Sequence, residues 1–455
     1  MIIIQKQSEI IDNLLGFQSK SSQVSYRPLH YLINKHISDG VLVYNVMTKC
    51  VVLVEEESFE EFIQSKFAIE NWFSVPENFD EMTVVLQLRN FGNLLYNKGS
   101  NITNYKILTT TDCNARCFYC YEKGVARFSM TFEIAEKVVQ FIKNNHGGKH
   151  IAIHWFGGEP LYNVKVIDYI CSELFKHNID FDTDMISNAY LFDDAMIHKA
   201  KTLWNLKKVQ ITLDGTEKKY NKIKHYIHED NNPFLRVIHN IDILLKNEIL
   251  VHLRLNVDKY NISNMGELVD YIIHHFKGAT NLYVYLIQLY ENIGHAAIHR
   301  TDEERSCLYK EMDILEEKLN KEGFKSRGKR LPTRLRYNSC MADLRSSIMI
   351  LPSGKFGRCE HYLDSLYCGD LEQGLIKDSN YLFYEKGNDF EPQCRFCAHF
   401  PDCFSLKVCN KMRPCPKSLQ RFIVRKEMVR LQNTYNDFIH KKKQDIIENG
   451  TELQC

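Results

Sequence analysis

The sequence predicts an α/β fold: a partial (β/α)6 TIM-like barrel, preceded by a small sheet–helix domain and followed by a Cys-rich domain. Three observations carry this reading. Strand-like and helical runs alternate from residue 104 to about residue 290. A hairpin pattern and helical patterns fill the first 100 residues. Of the 15 cysteines, eight gather between Cys340 and Cys415, in a segment with few long periodic runs.

The 455 residues are enough for roughly three domains of about 150 residues. Hydrophobic residues at 44% and charged residues at 25% belong to a folded chain, not a disordered or fibrous one. The 58 basic and 57 acidic side chains leave a net charge of +1. No global field therefore draws the protein to nucleic acid or to an anionic membrane. The apolar run that opens MIIIQKQSEIIDNLL is too short for a signal-peptide core, and no positive residue precedes it. No stretch of about 18 apolar residues predicts a membrane span. The expected location is the cytoplasm.

Residues 1–98 form the first unit. YLINKHI, Ser38-Asp39-Gly40 and VLVYNV read as a hairpin, because Asp-Gly supplies the turn between two β-rich runs. CVVLVEE follows as a third strand, then helical patterns around FEEFIQSKF and MTVVLQLRNFGNLL. A three-stranded sheet with helices is expected, serving either packing and dimerisation or peptide docking.

Residues 99–305 carry the alternation. Strand-like runs are YKILTT, HIAIHWF, DMISN, KVQITLD, VHLRLNV and LYVYLIQL, with helical stretches such as TFEIAEKVVQFIKNN and FLRVIHNIDILLKN between them. Six such units predict a parallel sheet or barrel. They fall short of the eight of a closed barrel and leave an open side for a large substrate. A charged helix, DEERSCLYKEMDILEEKLNKEG, and the basic loop SRGKRLPTRLR follow, with the linker placed at 306–337. The loop reads as a solvated connector or a basic lip beside a cleft. Residues 338–418 form the Cys-rich domain, which needs metal to hold it together. Residues 419–455 read as a helix and tail, with Lys441-Lys442-Lys443 as a solvated helix end.

Clustered Cys in a chain without an export signal points to metal or catalytic chemistry rather than disulfides. Cys50, Cys171, Cys307 and Cys455 stand apart from the clusters and read as ordinary thiols. TTTDCNARCFYCYEKG, at the end of the first barrel strand, spaces Cys113-x3-Cys117-x2-Cys120. Three thiolates in a tight loop can hold three irons of a 4Fe–4S cube and leave the fourth iron open. A zinc loop is the alternative. At the next strand end, HIAIHWF runs into Gly157-Gly158-Glu159-Pro160. Glycines suit a place where backbone must approach a ligand closely. A plain turn is the alternative there.

Together these motifs resemble the radical SAM superfamily, in which such a cluster binds S-adenosylmethionine (SAM). The resemblance implies that Tyr119 stands where the loop meets adenine. It implies that Gly158 and Glu159 contact the methionyl amino group. Ser187-Asn188 resembles the family's Thr-Asn-Gly at the third strand end, which makes Asn188 a cofactor-binding candidate. QITLDGTEKKYNKIK resembles a stretch whose Ser and Arg contact SAM; the matching residues here are Thr212 and Lys224. Lys lacks the bidentate fork of Arg, and Arg254 in HLRLNV is a second cationic candidate.

The C-terminal cysteines run Cys340, then Gly354 and Cys359, then Cys394-x2-Cys397-x5-Cys403, then Cys409 and Cys415. This resembles the SPASM extension, which implies two auxiliary 4Fe–4S clusters. The family places a Cys where Lys407 stands, so Cys409 takes its role two residues later. By family order Cys394, Cys397, Cys403 and Cys415 hold one cluster, and Cys340, Cys359 and Cys409 the other. Cys368 completes the count of eight, unless that site stays open for a substrate thiol. A zinc-ribbon-like module is the alternative. Glu360 stands where sulfatase maturases of the family carry a catalytic Asp, and is a candidate base or a structural residue.

The resemblance covers residues 104 to about 418. Peptide-maturing members often carry about 100 residues first, with a small winged sheet–helix domain that grips a leader peptide. That makes residues 1–98 an expected RRE-like docking domain, able to take up a strand by β-augmentation. The implied activity is reductive cleavage of SAM to methionine and a 5′-deoxyadenosyl radical, which takes hydrogen from a ribosomally made precursor peptide. A Cys thioether is the first expectation for the product and a carbon–carbon link the second. A flavodoxin- or ferredoxin-type donor would supply the electron. Formylglycine formation on sulfatases and a non-catalytic iron–sulfur or zinc regulator are the rival readings.

Overall fold

The computed structural model describes residues 1–6, 24–97, 99, 101–228, 232–289, 299–324, 330–333, 340–363, 365–386, 392–403 and 415–449. Of the residues singled out in the sequence, Lys407, Cys409, Cys455 and most of the basic loop lie outside the described residues.

The N-terminal unit contains β1 (Ile2–Gln5), β2 (Tyr26–Pro28), β3 (Leu32–Ile37), β4 (Gly40–Asn45), β5 (Val51–Val54), α1 (Phe59–Ile63), α2 (Lys66–Glu70), β6 (Ser74–Pro76) and α3 (Glu81–Tyr96). β3 and β4 form the expected hairpin. Gly40 has φ +128°, and a Cβ there would lie 2.3 Å from the Val54 carbonyl oxygen. The main sheet has four strands in the order β1-β5-β4-β3, one more than expected. The extra strand is β1, where Ile2 faces Leu53 and Ile3 faces Val52. Its apolar run was too short to read as a strand without its partner. FEEFIQSKF makes two short helices rather than one, because the Ser65 side chain caps α2 by accepting from the Ala68 N–H at 3.1 Å.

β4 and β5 are buried on both faces. Val41, Val43, Val52 and Val54 pack towards α1 and α2, whose Phe62, Ile63 and Ala68 share their cluster. Leu42, Tyr44, Val51 and Leu53 pack in a second cluster with Phe400, Leu431 and Tyr435 from the far end of the chain. Cys394, Cys397 and Cys403 lie against that second cluster. The N-terminal unit thus shares a hydrophobic core with the distal part of the Cys-rich segment.

The barrel follows as β7 (Asn104–Thr110), α4 (Phe132–Asn145), β8 (Ile151–Gly157), α5 (Val164–Lys176), β9 (Phe181–Ser187), α6 (Asp194–Thr202), β10 (Leu206–Leu213), α7 (Glu217–Lys224), α8 (Pro233–Lys246), β11 (Leu250–Val257), α9 (Ile262–His275), β12 (Leu282–Gln288) and α10 (Asp302–Lys321). The six strands β7 to β12 are parallel and adjacent in chain order, as the alternation predicts. Successive side chains alternate faces. On β11, Val251, Leu253 and Leu255 enter the core under the helices. The alternate residues Arg254 and Asn256 line a cavity inside the barrel, as do Gln210 and Thr212 of β10.

The C-terminal segment holds β13 (Ser347–Ile350), β14 (Phe356–Gly357), β15 (Gly369–Asp370), β16 (Gly374–Leu375), α11 (Ser379–Lys386) and α12 (Lys417–Asn449). β13 joins the barrel sheet parallel to β7, with Ser347 opposite Asn104 and Ile350 opposite Ile107. β14 pairs antiparallel to β13. The sheet therefore has eight strands, and its last hairpin leads into Cys359. The proposed linker at 306–337 cuts through α10, whose Leu308, Met312, Leu315 and Leu319 belong to the barrel core. Among the described residues no helix is long and apolar enough to cross a membrane.

Candidate active site

The loop after β7 brings Cys113, Cys117 and Cys120 to one wall of the barrel cavity. The Ala115 N–H donates to Cys113 Sγ at 3.3 Å, and the Cys113 N–H is held by Asp112 Oδ1 at 2.8 Å. Burial pushes all three thiols up, Cys120 to about 12. Glu159 adds to the rise at Cys113, and Glu122 to that at Cys120. Bare thiolates are disfavoured there, so the site needs a cation to take them. Asn114 Nδ2, buried beside these thiols, has no hydrogen-bond partner. Among the described residues no three His, Cys, Asp or Glu side chains close on one point as a single metal ion requires. The irons of a cube stand at separate corners and take one thiolate each. This donor set fits such a cluster.

Gly158 sits where β8 meets this loop. A Cβ there would lie 2.2 Å from the Asp112 carbonyl oxygen and 3.1 Å from Cys113 Cβ, so only glycine permits the approach. Glu159 is fully buried, and its carboxylate is internally satisfied. It accepts from Ser187 Oγ at 2.8 Å, the Asn188 N–H at 2.8 Å and the Leu161 N–H at 3.2 Å. Burial pushes its carboxyl up to about 7 against these donors. Glu159 thereby ties the ends of β8 and β9 together. Asn188 points its amide at Asn114 Oδ1, 2.7 Å away, and lies 3.8 Å from Cys113 Sγ. Gly158, Asn188, Thr212 and Lys224 all line the cavity, so the structure gathers these candidates on one surface.

Tyr119 and Lys224 meet at Asp214. The Tyr119 hydroxyl lies 3.0 and 2.9 Å from the two Asp214 oxygens. Lys224 Nζ is 3.0 Å from Asp214 Oδ2 and 3.1 Å from the hydroxyl. Burial alone would lower the Lys224 pKa, but the Asp214 carboxylate holds it well above its ordinary value. Arg254, on the same cavity wall, donates from Nε to Asn256 Oδ1 at 2.8 Å.

Residues 107–272 match the Radical SAM superfamily model. The chain carries a radical SAM domain. It is accordingly an enzyme that uses SAM, with a 4Fe–4S cluster implied by the superfamily. Two curated relatives are named as probable GTP 3′,8-cyclases. That of Thermococcus kodakarensis is 24% identical over 249 residues, 54% of this chain and 74% of that protein. That of Pyrococcus horikoshii is 27% identical over 248 residues, 52% of this chain and 71% of that protein. Among solved structures, anSMEcpe with bound AdoMet (SAM) is similar at TM-score 0.56 and 16% identity, over 75% of this chain and 96% of that one. Streptococcus suis SuiB bound to precursor peptide SuiA is similar at TM-score 0.52 and 13% identity, over 83% of this chain and 94% of that one. At these identities the likeness is one of fold.

Beyond the Cys loop of the radical SAM domain, the cavity is walled by Tyr121, Glu122, Glu360 and His361. Glu360 Oε2 is paired with Lys106 Nζ at 3.0 Å. The Tyr121 ring meets His361 edge-on at 5.1 Å. Burial raises the Tyr121 hydroxyl, and Glu122, Glu360, Cys120 and Cys359 add to it. Its hydroxyl and Glu122 Oε2 are buried without a hydrogen-bond partner, and burial pushes the Glu122 carboxyl up to about 8. Sequence reasoning missed Tyr121 and Glu122, although both stand inside the quoted Cys motif.

The C-terminal cysteines fall into separate places. Burial raises the Cys397 thiol to about 11, and Cys403, Cys415 and Cys394 are near enough to raise it further. Cys394, Cys397 and Cys403 pack against the second hydrophobic cluster, whereas Cys415 packs against the barrel core. Cys340 and Glu360 line a second cavity with Lys106, His154 and Asp184. Cys368 is fully buried in the barrel core, with Sγ 3.7 Å from the Phe356 carbonyl oxygen. Burial pushes that thiol up to about 11.

Proposed function

We propose that this chain is a peptide maturase that modifies a ribosomally made precursor, with a Cys thioether crosslink as the product. The observation that carries the reading is the shared core between the N-terminal sheet and the distal Cys-rich segment. In this reading a domain able to grip an extended peptide would be anchored to the segment that carries an auxiliary cluster. Two similar folds support it: SuiB is described bound to the precursor peptide SuiA, and anSMEcpe bound to AdoMet and the Cp18Cys peptide.

In this reading Cys113, Cys117 and Cys120 hold the SAM-binding cluster. Cys394, Cys397, Cys403 and Cys415 hold one auxiliary cluster, and Cys340, Cys359 and Cys409, with Cys368 or a substrate thiol, the other. The bound cluster and SAM supply the 5′-deoxyadenosyl radical. The chain's own residues do the rest. Gly158, Asn188 and Thr212 line the cofactor wall, and the apolar side chains Phe156, Ile186 and Leu289 help exclude water from the cavity. Glu360 takes the proton from the substrate thiol as the carbon–sulfur bond forms. The bound groups would supply the acceptor for one substrate hydrogen atom and for the one electron that the new carbon–sulfur bond leaves over. The protein works in the cytoplasm with a flavodoxin- or ferredoxin-type electron donor.

The test is anaerobic coexpression with each short Cys-containing peptide encoded beside the gene. Mass spectrometry should find the peptide lighter by two hydrogens per crosslink and resistant to thiol alkylation. SAM cleavage with no such product from any of these peptides overturns the thioether reading. Formylglycine on a sulfatase-derived Cys peptide would point instead to the sulfatase-maturase chemistry.

A further inference from the structure

Lys224 serves the Cys loop with both its main chain and its side chain. Its carbonyl oxygen accepts the Arg116 N–H at 2.8 Å and lies 4.0 Å from Cys117 Sγ. Its ammonium, at the C-terminal end of α7, reaches Asp214 and the Tyr119 hydroxyl. The hydroxyl has one proton and two lone pairs to place. The proton goes to Asp214, and the lone pairs face Lys224 Nζ at 3.1 Å and Asn256 Nδ2 at 3.2 Å. Asn256 Nδ2 also donates to Asp214 Oδ1 at 2.9 Å, and Asn261 Nδ2 to the Asp214 carbonyl oxygen at 2.8 Å. The Lys224 and Asp214 side chains are only 5% and 1% exposed.

A buried ammonium paired in this way is committed to Asp214. Turning towards a second carboxylate would strand Asp214 as an unpaired buried anion, which is heavily penalised. Arg254 stands differently. It lies on the lumen face of β11, and Asn256 orients it through the oxygen opposite the amide that holds Tyr119 and Asp214. We propose that Lys224 is a positioning residue, which with Asp214 and Tyr119 locks the Cys loop in place, and that Arg254 is the cation that meets the SAM carboxylate. This rests on the radical SAM domain alone and is independent of the peptide reading.

The experiment uses the full chain. SAM binding is read by equilibrium dialysis on anaerobically reconstituted protein. Amide exchange of residues 113–120 is read on the metal-free protein. Asp214→Asn and Lys224→Met should each weaken SAM binding about tenfold, because the Cys loop loses one charged hydrogen bond that holds it in place. Both should speed loop exchange, and the double variant should be no worse than either single one, because one clamp is lost once. Arg254→Met should weaken SAM binding about tenfold with loop exchange unchanged. Lys224→Arg should not rescue, since a planar fork cannot replace a point charge in a closed pocket.

The opposite pattern overturns the inference. A Lys224 that binds SAM directly would be released by Asp214→Asn, so SAM binding would hold or tighten. Lys224→Arg would then bind SAM as well as the parent, and Arg254→Met would change nothing. If Lys224→Met does not fold, Tyr119→Phe reads the same clamp by removing only the hydroxyl. Weaker SAM binding with faster loop exchange supports the clamp, and no change in either overturns it.

Discussion

Lys49, in the turn between β4 and β5, and Asp402 of the Cys-rich segment form a buried ion pair, with Nζ 2.5 Å from Oδ2 and side-chain exposures of 0% and 5%. Lys49 Nζ also donates to the Val46 carbonyl oxygen at 2.7 Å. Around the pair, Tyr31 stacks on Phe400 at 6.0 Å, and Arg89 donates to the Pro401 carbonyl oxygen at 3.3 Å. Asp402 immediately precedes Cys403. A force on the N-terminal unit therefore reaches the loop that carries Cys403 through these contacts rather than through a flexible connection.

Lys49→Met should destabilise the protein by about 3–5 kcal/mol, because it leaves Asp402 as an uncompensated buried charge. Urea denaturation followed by far-UV circular dichroism measures it. Lys49→Met combined with Asp402→Leu should recover most of the loss, since an apolar pair can replace a buried ion pair. If the single variant is as stable as the parent, the pair is not closed to solvent. Deleting residues 1–98 would strip the second core cluster, so a truncated chain tests folding before it tests peptide docking.

Anaerobically reconstituted protein should carry ~12 Fe per chain, four in each of three cubes. Replacing Cys113, Cys117 and Cys120 with Ala should remove about four of them. The remainder should stay, because all eight C-terminal cysteines lie outside the 113–120 loop. Iron and acid-labile sulfide analysis decides this. About one zinc per chain without sulfide would restore the zinc-loop and zinc-ribbon readings.

The six barrel strands were legible because their pairing partners follow one another in the chain. Each is separated from the next by helical periodicity, and the alternation in VHLRLNV shows which face is apolar. The β13–β14 hairpin was not legible. Its partner, β7, lies more than 200 residues earlier, and four residues of SIMI carry no periodic signal for that distance. β1 was lost because its four residues are too few to show alternation without β5 beside them. At the site, motifs singled out the three Cys, Gly158, Asn188 and Thr212, and the structure brings them onto one cavity. Asp214 stood in a quoted motif without a role, although its neighbours decide what Lys224 does. Asn256 shares a strand face with Arg254, two residues away, and that spacing was the available signal.

Glu360→Gln should abolish peptide modification and leave SAM cleavage in the absence of peptide within about twofold, because the substitution removes a base without a steric change. It also leaves Lys106 without its carboxylate partner, 3.0 Å away. Lys106→Met separates the two effects. If Glu360 acts only as a structural partner of Lys106, both variants should lose stability and activity together. If Glu360 is the base, Lys106→Met should retain modification at a reduced rate while Glu360→Gln does not. Single-turnover assays with 5′-deoxyadenosine and peptide product counted separately give the answer.

Cys368 is where the count of eight cysteines and the packing diverge. As a ligand it would have to withdraw its thiol from the Phe356 carbonyl oxygen and from a core site with 0% exposure. As a core residue it fills space between the β14 turn and the barrel. The packing predicts that Cys368→Ala keeps the full iron content and an unchanged auxiliary EPR signal. The cost should be a stability loss of about 1 kcal/mol for the lost sulfur volume. A missing or opened iron would instead shift both the signal and the reduction potential, since ligand identity and solvent exposure set them. Loss of iron on Cys368→Ala, with the fold intact, would establish the fourth ligand and require the 359–368 turn to rearrange when the cluster is built.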